Sequence, residues 1–388
     1  MKILFISLPA FADCDFPLIK SFQEKGFDVT YLLLLRPYSL RSTLFDIKEQ
    51  IKVNDIIPAS SYKELKIYES YFDLKKVYIS NRTSPKDSSF SSLMECMRII
   101  KFIKNGKFDI IHTDVIFNMW YLFIYQIFCK KMILTVHDPF PHIGEASPKR
   151  LFAYKQTMSK VKNFILLNRN QKNDFIRFYK LNKKNVFVNR LGIYDNVRYF
   201  TNKANKERTH NVLFLGRISP YKGLDVLCQA MVLVRKTIPD ATLTIAGNGK
   251  IYFDFSPYEK YLWIETHNHF INMTDIAKYL QECTITVCPY IDATQSGVIM
   301  TSYSMGKPVI ASNVGGLGEM VEDKKSGLLV SPGDVKELAN SIITLLRDDD
   351  MRSQMREYIE KEYYEGEKSW NSIANKYIEF YSMVKDAS

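Results

Sequence analysis

The chain reads as an α/β protein of two doubly wound domains, each a mostly parallel sheet with helices on both faces. Three observations predict this. Strand-length apolar runs alternate with segments of helical period along nearly the whole sequence, the pattern of parallel strands joined by crossover helices. The length, 388 residues, exceeds what one ordinary core serves. The alternation also stops and restarts once, between Arg198 and Thr209, where apolar residues thin out as they do in an interdomain linker.

The first series opens on Lys2–Leu8, an apolar run that Pro9 cuts off too early for the core of a secretory leader. Further strands are expected over Phe27–Leu35, Asp109–His112, Met132–Val136, Asn163–Leu167 and Val186–Val188, with helical spacing in Pro17–Lys25 and Arg150–Lys160. Arg36–Gly106 is less regular, and its serine-rich piece Ser80–Ser92 reads as a mobile loop. The longest apolar stretch, Val115–Cys129, is interrupted by Asn118 and Gln126 and stops at Lys130-Lys131, short of the roughly 20 residues a bilayer crossing needs. The second series places buried strands at Val212–Gly216, Ala241–Gly247, Thr284–Cys288, Pro308–Ala311 and Gly327–Val330. From Asp334 the tail is helical, apart from a solvated break at Asp348-Asp349-Asp350.

An apolar fraction of 46% with 24% charged residues excludes large-scale disorder. The six cysteines are scattered without CxxC spacing, which suits reduced core thiols better than disulfides or metal ligands. Charge is divided unevenly. Residues 1–200 hold 32 Lys and Arg against 18 Asp and Glu, and the remainder 21 against 24, so an anionic partner is expected for the first half. A phospholipid surface and a pyrophosphate-linked lipid both fit; direct nucleic-acid binding does not, since no recognised motif accompanies the charge. A G-x-G-x-x-G turn is missing after the first strand, which argues against a nicotinamide oxidoreductase. His267 and His269 lack further ligands at metal spacing, so no essential metal is expected.

Three constellations in the second half carry chemistry. Gly216-Arg217-Ile-Ser-Pro-Tyr-Lys222-Gly223 follows a strand and precedes a helix with apolar residues at Leu224, Leu227, Met231 and Val234. It delivers two cations to the carboxyl end of a strand, where open α/β sheets bind ligands, and two cations beside a helix N-terminus suit a diphosphate. Pro289-Tyr-Ile-Asp-Ala-Thr294-Gln295-Ser296-Gly297-Val298 lies between another strand and helix, where small residues let backbone amides approach a phosphate and Thr294 or Ser296 could cap the helix. Gly306-Lys-Pro-Val-Ile-Ala-Ser-Asn-Val-Gly315-Gly316 ends in a glycine pair that either admits a ligand or makes a turn.

In this order, with the Ala246-Gly247-Asn-Gly249 turn and Ser326-Gly-Leu-Leu-Val-Ser-Pro-Gly-Asp334, these pieces resemble the carboxy-terminal half of retaining glycosyltransferases of the GT-B fold, specifically glycosyltransferase family 4. The resemblance runs from Asn211 to about Asp350. It implies two Rossmann-like domains facing a cleft, divided as 1–197 and 198–365, with a last segment, 366–388, crossing back to the first domain and a hinge near residue 200. It also implies that Arg217 and Lys222 hold the donor diphosphate and that Asn268, Phe270 and Ile271 follow the nucleotide base. Thr135-Val136-His137-Asp138 matches the family's active-site histidine, which would place His137 at the donor sugar. One departure is plain. Two glutamates eight positions apart are common in the family, and here their places fall on Ala293 or Thr294 and on Thr301, the form Ala-Thr-Gln-Ser-Gly-Val resembling a variant branch. Gln295 and Ser296, beside Gly297 and Val298, are the expected replacements for the lost hydroxyl contacts. The first-strand loop, Pro9–Asp15, lacks the glycines of many relatives and is expected to shape the acceptor site.

The expected activity is therefore retaining transfer of a hexose-type sugar from a UDP-, GDP- or ADP-sugar to a glycan or lipid-linked acceptor in cell-surface polysaccharide synthesis. The expected place is cytoplasmic, peripheral at an anionic membrane, with no cofactor. A non-catalytic partner subunit and a sugar-nucleotide epimerase of the same fold are the alternatives.

Overall fold

The computed structural model describes residues 1–51, 53–140 and 148–387. They form two compact units: one takes the chain up to Arg190 together with the segment from Trp370 onward, and the other runs Leu191–Ser369.

In the first unit the strands are β1 (Lys2–Ser7), β2 (Asp28–Leu35), β3 (Ile56–Pro58), β4 (Val77–Asn81), β5 (Ile110–Thr113), β6 (Met132–Val136), β7 (Asn163–Leu166) and β8 (Val186–Val188). They make one sheet in the order β3-β4-β2-β1-β5-β6-β7-β8, parallel except for β3 against β4. The helices are α1 (Ala12–Glu24), α2 (Phe90–Gly106), α3 (Leu122–Phe128), α4 (Pro148–Lys160) and α5 (Lys172–Tyr179). The sheet runs outward from β1 in both directions, and right-handed crossovers then send α1 to one face and α2 to α5 to the other. Consistent with this, α2 packs on α3, α3 on α4 and α4 on α5.

The expected mobile loop at Ser80–Ser92 is instead tied to the core at both ends. Ser80 and Asn81 end β4, Arg82 is fully buried, and Ser89 caps α2 by accepting from the Ser92 amide. The cause is charge pairing that serine content does not advertise. Arg82 reaches Asp87 at 2.8 Å and the Ser92 hydroxyl at 2.8 Å, while buried Glu95 accepts from Arg36 at 2.7 Å and from Ser80 at 2.5 Å. A buried ion pair needs such hydrogen bonds from its surroundings, so the segment is ordered by its partners.

In the second unit, β9 (Asn211–Leu215), β10 (Thr242–Ala246), β11 (Ile264–His267), β12 (Ile285–Cys288), β13 (Val309–Ser312) and β14 (Gly327–Val330) form a parallel sheet in the order β11-β10-β9-β12-β13-β14. Its longer helices are α6 (Leu224–Thr237), α7 (Met273–Glu282), α8 (Gly297–Ser304), α9 (Val335–Arg347) and α10 (Asp349–Glu360). Leu224, Leu227, Met231 and Val234 are all buried, as their spacing requires. Asp348, read as a solvated break, caps α10 by accepting from the Met351 amide. β11 is missed by the apolar pattern, as β3 and β4 are in the first unit: Glu265 and Thr266 are exposed on this edge, so no apolar run marks it.

The polar stretch from Arg198 to Thr209 runs along the surface of the second unit. Arg198 donates to the Ser304 carbonyl at 2.5 Å, the Asn202 amide to Gln281 at 3.0 Å and the Arg208 amide to the Glu282 carbonyl at 2.7 Å. The last helix, α11 (Trp370–Asp386), packs on α1. Its Trp370 carbonyl accepts from Ser21 at 3.2 Å, and Asn189 donates to the Ile373 carbonyl at 3.1 Å. The six cysteines are free thiols, five of them buried. Among the described residues no helix is long and apolar enough to cross a membrane.

Candidate functional site

Each sheet has a point beside its first strand where the strand order reverses, and there the carboxyl ends of neighbouring strands are open to a ligand. In the second unit this point lies between β9 and β12, and all three sequence constellations meet around it. Gly216 follows β9, and a Cβ placed on it would stand 3.4 Å from Val298 Cγ2. Gly223 has φ of 67°, and its Cβ would fall 1.9 Å from the Pro289 carbonyl oxygen. Only glycine therefore lets this loop close on the end of β12. The Ile291 amide then donates to the Tyr221 carbonyl at 2.8 Å. Gly315 answers the question its pair left open: with φ of 53° and a Cβ that would fall 1.6 Å from the Ala293 carbonyl, it is a close-packing turn that supports the Thr294 loop.

The cations are positioned by aromatic side chains. Arg217 is exposed and donates from Nη2 to the Tyr221 hydroxyl at 3.2 Å. Lys222 holds its ammonium 3.7 Å from the centre of the Tyr290 ring, a cation–π contact that fixes a flexible chain. Tyr290 is buried, and its hydroxyl shares a hydrogen bond of 3.1 Å with Ser296.

That bond matters for α8. Ser296 occupies the position before the helix but makes no side-chain cap bond, because its hydroxyl is engaged with Tyr290. Its amide donates to the thioether of Met320 at 3.3 Å, a weak acceptor. The first-turn amides of α8 thus lack a side-chain cap, on a helix whose positive end sits beside Gly216. Thr294 is buried and Gln295 half-buried in the same loop. Thr301 lies inside α8, donating its hydroxyl to the Gly297 carbonyl at 2.8 Å. Asn268 follows the edge strand β11 and clamps the neighbouring turn, accepting from the Gly249 amide at 3.1 Å and donating to its carbonyl at 3.0 Å. Phe270 is half-buried beyond it, and Ile271 is buried at the entry to α7.

In the first unit His137 follows β6, next to the corresponding reversal between β1 and β5. Its ring stacks on Phe11 at 4.4 Å between centroids, and Nε2 lies 3.3 Å from an oxygen of Asp114. Phe11 belongs to the glycine-free loop, which turns directly into α1. Asp114, at the end of β5, was not visible as a site residue in the sequence; the signal was its place two positions after His112 on the strand neighbouring His137. Burial pushes the Asp114 carboxyl upward, but the hydrogen bond and charge of His137, the charge of His112 and a hydrogen bond from Asp15 outweigh it and hold the pKa below the usual value. Asp15 moves the other way. Burial, then the Asp114 charge, raise it well above the carboxylate range, so it carries the proton it shares with Asp114 and accepts from Tyr31 at 2.8 Å.

Cys14, Asp114 and His137 bring donor atoms within 4.8 Å of one another, the reach of a metal site. Burial and the charges of Asp15 and Asp114 raise the Cys14 pKa well above its usual value.

His112 is sealed beneath this group between the Tyr381 hydroxyl of α11 and Thr135 Oγ1, the latter at 2.6 Å. Burial lowers its pKa from 6.5 to about 4. The unfolded chain takes up this proton near pH 6.5 and the folded one only near pH 4, so stability is lost as pH falls through that interval, by at most about 3 kcal/mol. Asp13, raised by burial to about 6, works oppositely: its contribution is lost as pH rises from about 4 to about 6. The two are separated by comparing slopes. The stability gap between the parent and His112→Asn is expected to narrow from pH 7 to pH 4 in denaturant titrations, and a gap that stays constant would show that His112 does not titrate differently on folding.

With the geometry described, comparison with known proteins is direct. A family described as Glycosyltransferase Family 4 matches residues 18–196, and one described as Glycosyl transferases group 1 matches residues 209–348. The chain is a glycosyltransferase of the group 1 and family 4 type. An uncharacterized glycosyltransferase of Methanocaldococcus jannaschii is 27% identical over 75% of this chain and 81% of its own. The glycogen synthase of Mycobacterium tuberculosis is 27% identical over 45% of this chain, spanning 42% of its own length. Among solved structures, sucrose-phosphate synthase of Thermosynechococcus elongatus superposes with a TM-score of 0.68 at 17% identity, covering both chains completely. HepE of Anabaena, in complex with UDP and glucose, superposes with a TM-score of 0.67 at 18% identity over 99% of this chain and 100% of that one. Both units of this glycosyltransferase are therefore those of the GT-B fold.

Proposed function

We propose that this glycosyltransferase takes a hexose-type sugar from a nucleotide-sugar donor and delivers it, with retention of anomeric configuration, to a glycan or lipid-linked acceptor. The observation that carries the reading is the uncapped N-terminus of α8 beside Arg217 and Lys222 at the switch point of the second sheet. First-turn amides without a side-chain cap, a helix dipole and two cations are complementary to a diphosphate. HepE is solved with UDP-glucose, which supports a uridine nucleotide among the candidate donors.

In the transfer, the bond between the anomeric carbon and the donor phosphate oxygen breaks, and the acceptor hydroxyl oxygen bonds to that carbon. The acceptor proton passes to the departing phosphate oxygen on the same face. Arg217, Lys222 and the α8 amides stabilise the charge that develops on the diphosphate. Asn268, Phe270 and Ile271 line the base, and Gln295 with the Ser296 amide takes over hydroxyl contacts from the absent glutamates. The resemblance makes His137, held beside Asp114, the candidate for the donor sugar. No residue is needed as a covalent nucleophile and no metal is required. The enzyme is proposed to work in cell-surface polysaccharide synthesis at the cytoplasmic side of a membrane.

Donor-induced stabilisation tests this reading. One among UDP-, GDP- and ADP-sugars is expected to raise the melting temperature in a chelating buffer, with the nucleoside diphosphate raising it as well, because a ligand stabilises the state it binds. NMR of the product should show the donor's anomeric configuration retained. If none of these donors shifts melting, the diphosphate site is wrong; if donor binds but no acceptor is ever glycosylated, the chain binds nucleotide sugars without transferring them.

A further inference from the structure

The helical layer α2 to α5 of the first unit carries a surface that the proposed chemistry does not use. Phe90, Met94 and Met97 lie at spacings of four and three along α2, and all are exposed, Phe90 by 75% and Met97 by 57%. The same stripe continues into exposed Lys101 and Lys104. Beside it, Met119, Phe123 and Ile127 repeat the arrangement at spacings of four, again exposed and again running into lysines, Lys130 and Lys131. Met119 is exposed even though its backbone sits at φ of 49°, a conformation that bulky residues rarely adopt. Phe152 on α4 and Phe178 on α5 extend the apolar surface across the layer. Of the 15 exposed large hydrophobic side chains among the described residues, these are eight. Apolar exposure concentrated on one layer marks an interaction site.

Charge identifies the partner. Residues 90–185 hold 17 Lys and Arg against six Asp and Glu. Two of those acids, Glu95 and Asp114, are buried with partners, and Asp109 and Asp174 are paired with Lys385 and Arg177. A second copy of this chain would meet the face with like charge. A nucleic acid would satisfy the lysines but leave Met, Ile and Phe stripes uncovered. Apolar side chains flanked by lysines match an anionic bilayer interface, where the former enter the acyl boundary and the latter meet headgroups.

We propose that the α2–α3 face is the surface by which this protein seats on an anionic phospholipid membrane, with Phe90, Met97 and Phe123 as the inserting side chains and Lys101, Lys104 and Lys130 as the headgroup contacts. This deepens the membrane-surface part of the proposed function and rests on it for its purpose, though not for its physics.

Vesicle sedimentation tests it, with phosphatidylglycerol and phosphatidylcholine in equal parts compared with phosphatidylcholine alone. The parent is expected in the pellet only with the anionic mixture, and retention should fall steeply as salt is raised. The double substitution Met97→Glu with Phe123→Glu should lower partitioning by about tenfold or more, since each removes an inserting side chain and adds repulsion. Met383→Glu, exposed on α11, should leave it unchanged. Donor-induced melting shifts, measured on the same samples, should be equal in all three proteins. Absence of retention at low salt, or retention of the double variant equal to the parent, overturns the proposal even when the donor shift is intact. Retention without any donor shift would instead remove the sugar-transfer reading and leave the docking face standing.

Discussion

Alanine at both Arg217 and Lys222 is expected to weaken donor binding by roughly a thousandfold, on the scale of about 1.5 to 3 kcal/mol for each hydrogen bond from a charged group. The two losses should be less than additive. Both side chains lie against Tyr221, with the Arg217 and Lys222 charges 5.8 and 5.2 Å from its ring centre, so each variant relaxes the setting of the other. Titration calorimetry with the best donor measures the affinity directly. Arg217 is exposed, so its loss should not disturb folding; loss of Lys222 removes its contact with the buried Tyr290 ring, so the melting temperature without ligand is measured alongside. Lysine at position 217 should recover only part of the affinity, since a point charge does not reproduce the guanidinium fork on phosphate oxygens. Wild-type affinity in the double variant would remove the diphosphate site from the second domain.

The second large effect is expected from Asp114→Asn. The substitution is nearly isosteric but removes the charge that His137, His112 and the Asp15 proton all face. Turnover is expected to fall by roughly tenfold to a hundredfold, the size of one lost charge-assisted hydrogen bond, while donor affinity stays close to the parent's. This split between turnover and affinity distinguishes a group that positions His137 from a group that holds the fold. A purely structural role would lower the melting temperature without that split. Asp15 supplies an internal check: with the Asp114 charge gone, the repulsion and hydrogen bond that help raise its pKa disappear, so its titration should move down toward the ordinary carboxylate range. A variant with unchanged turnover would remove Asp114 from the machinery altogether.

Legibility in the sequence followed unbroken apolar runs, not a strand's place in its sheet: β4 is largely buried inside the first sheet, yet its Val-Tyr-Ile-Ser-Asn was not readable as a strand. Met132–Val136, in the interior of its sheet, and the edge strands Val186–Val188 and Gly327–Val330 were readable to the residue, because each is a compact, largely apolar run. β11 was not, since Glu265 and Thr266 are polar and exposed and leave no apolar run. The order around Ser80–Ser92 was equally hidden: Arg82, Glu95 and Arg36 are far apart in sequence, and nothing local says that they will neutralise one another inside the protein.

Sequence alone determined the two-sheet architecture, the three glycine-punctuated loops and the pair of cations beside a helix start, because periodicity and turn chemistry are local properties of the chain. The tertiary structure decided how those loops pack. It turned the Ser296 hydroxyl from a helix cap into a partner of Tyr290, leaving α8 uncapped, and it set Lys222 over the same tyrosine. It joined Asp15, Asp114 and His137 from three elements into one cluster, and it lined up two exposed apolar stripes on neighbouring helices. Each of these depends on which strand lies beside which, and strand order is chosen by the packing of the whole sheet.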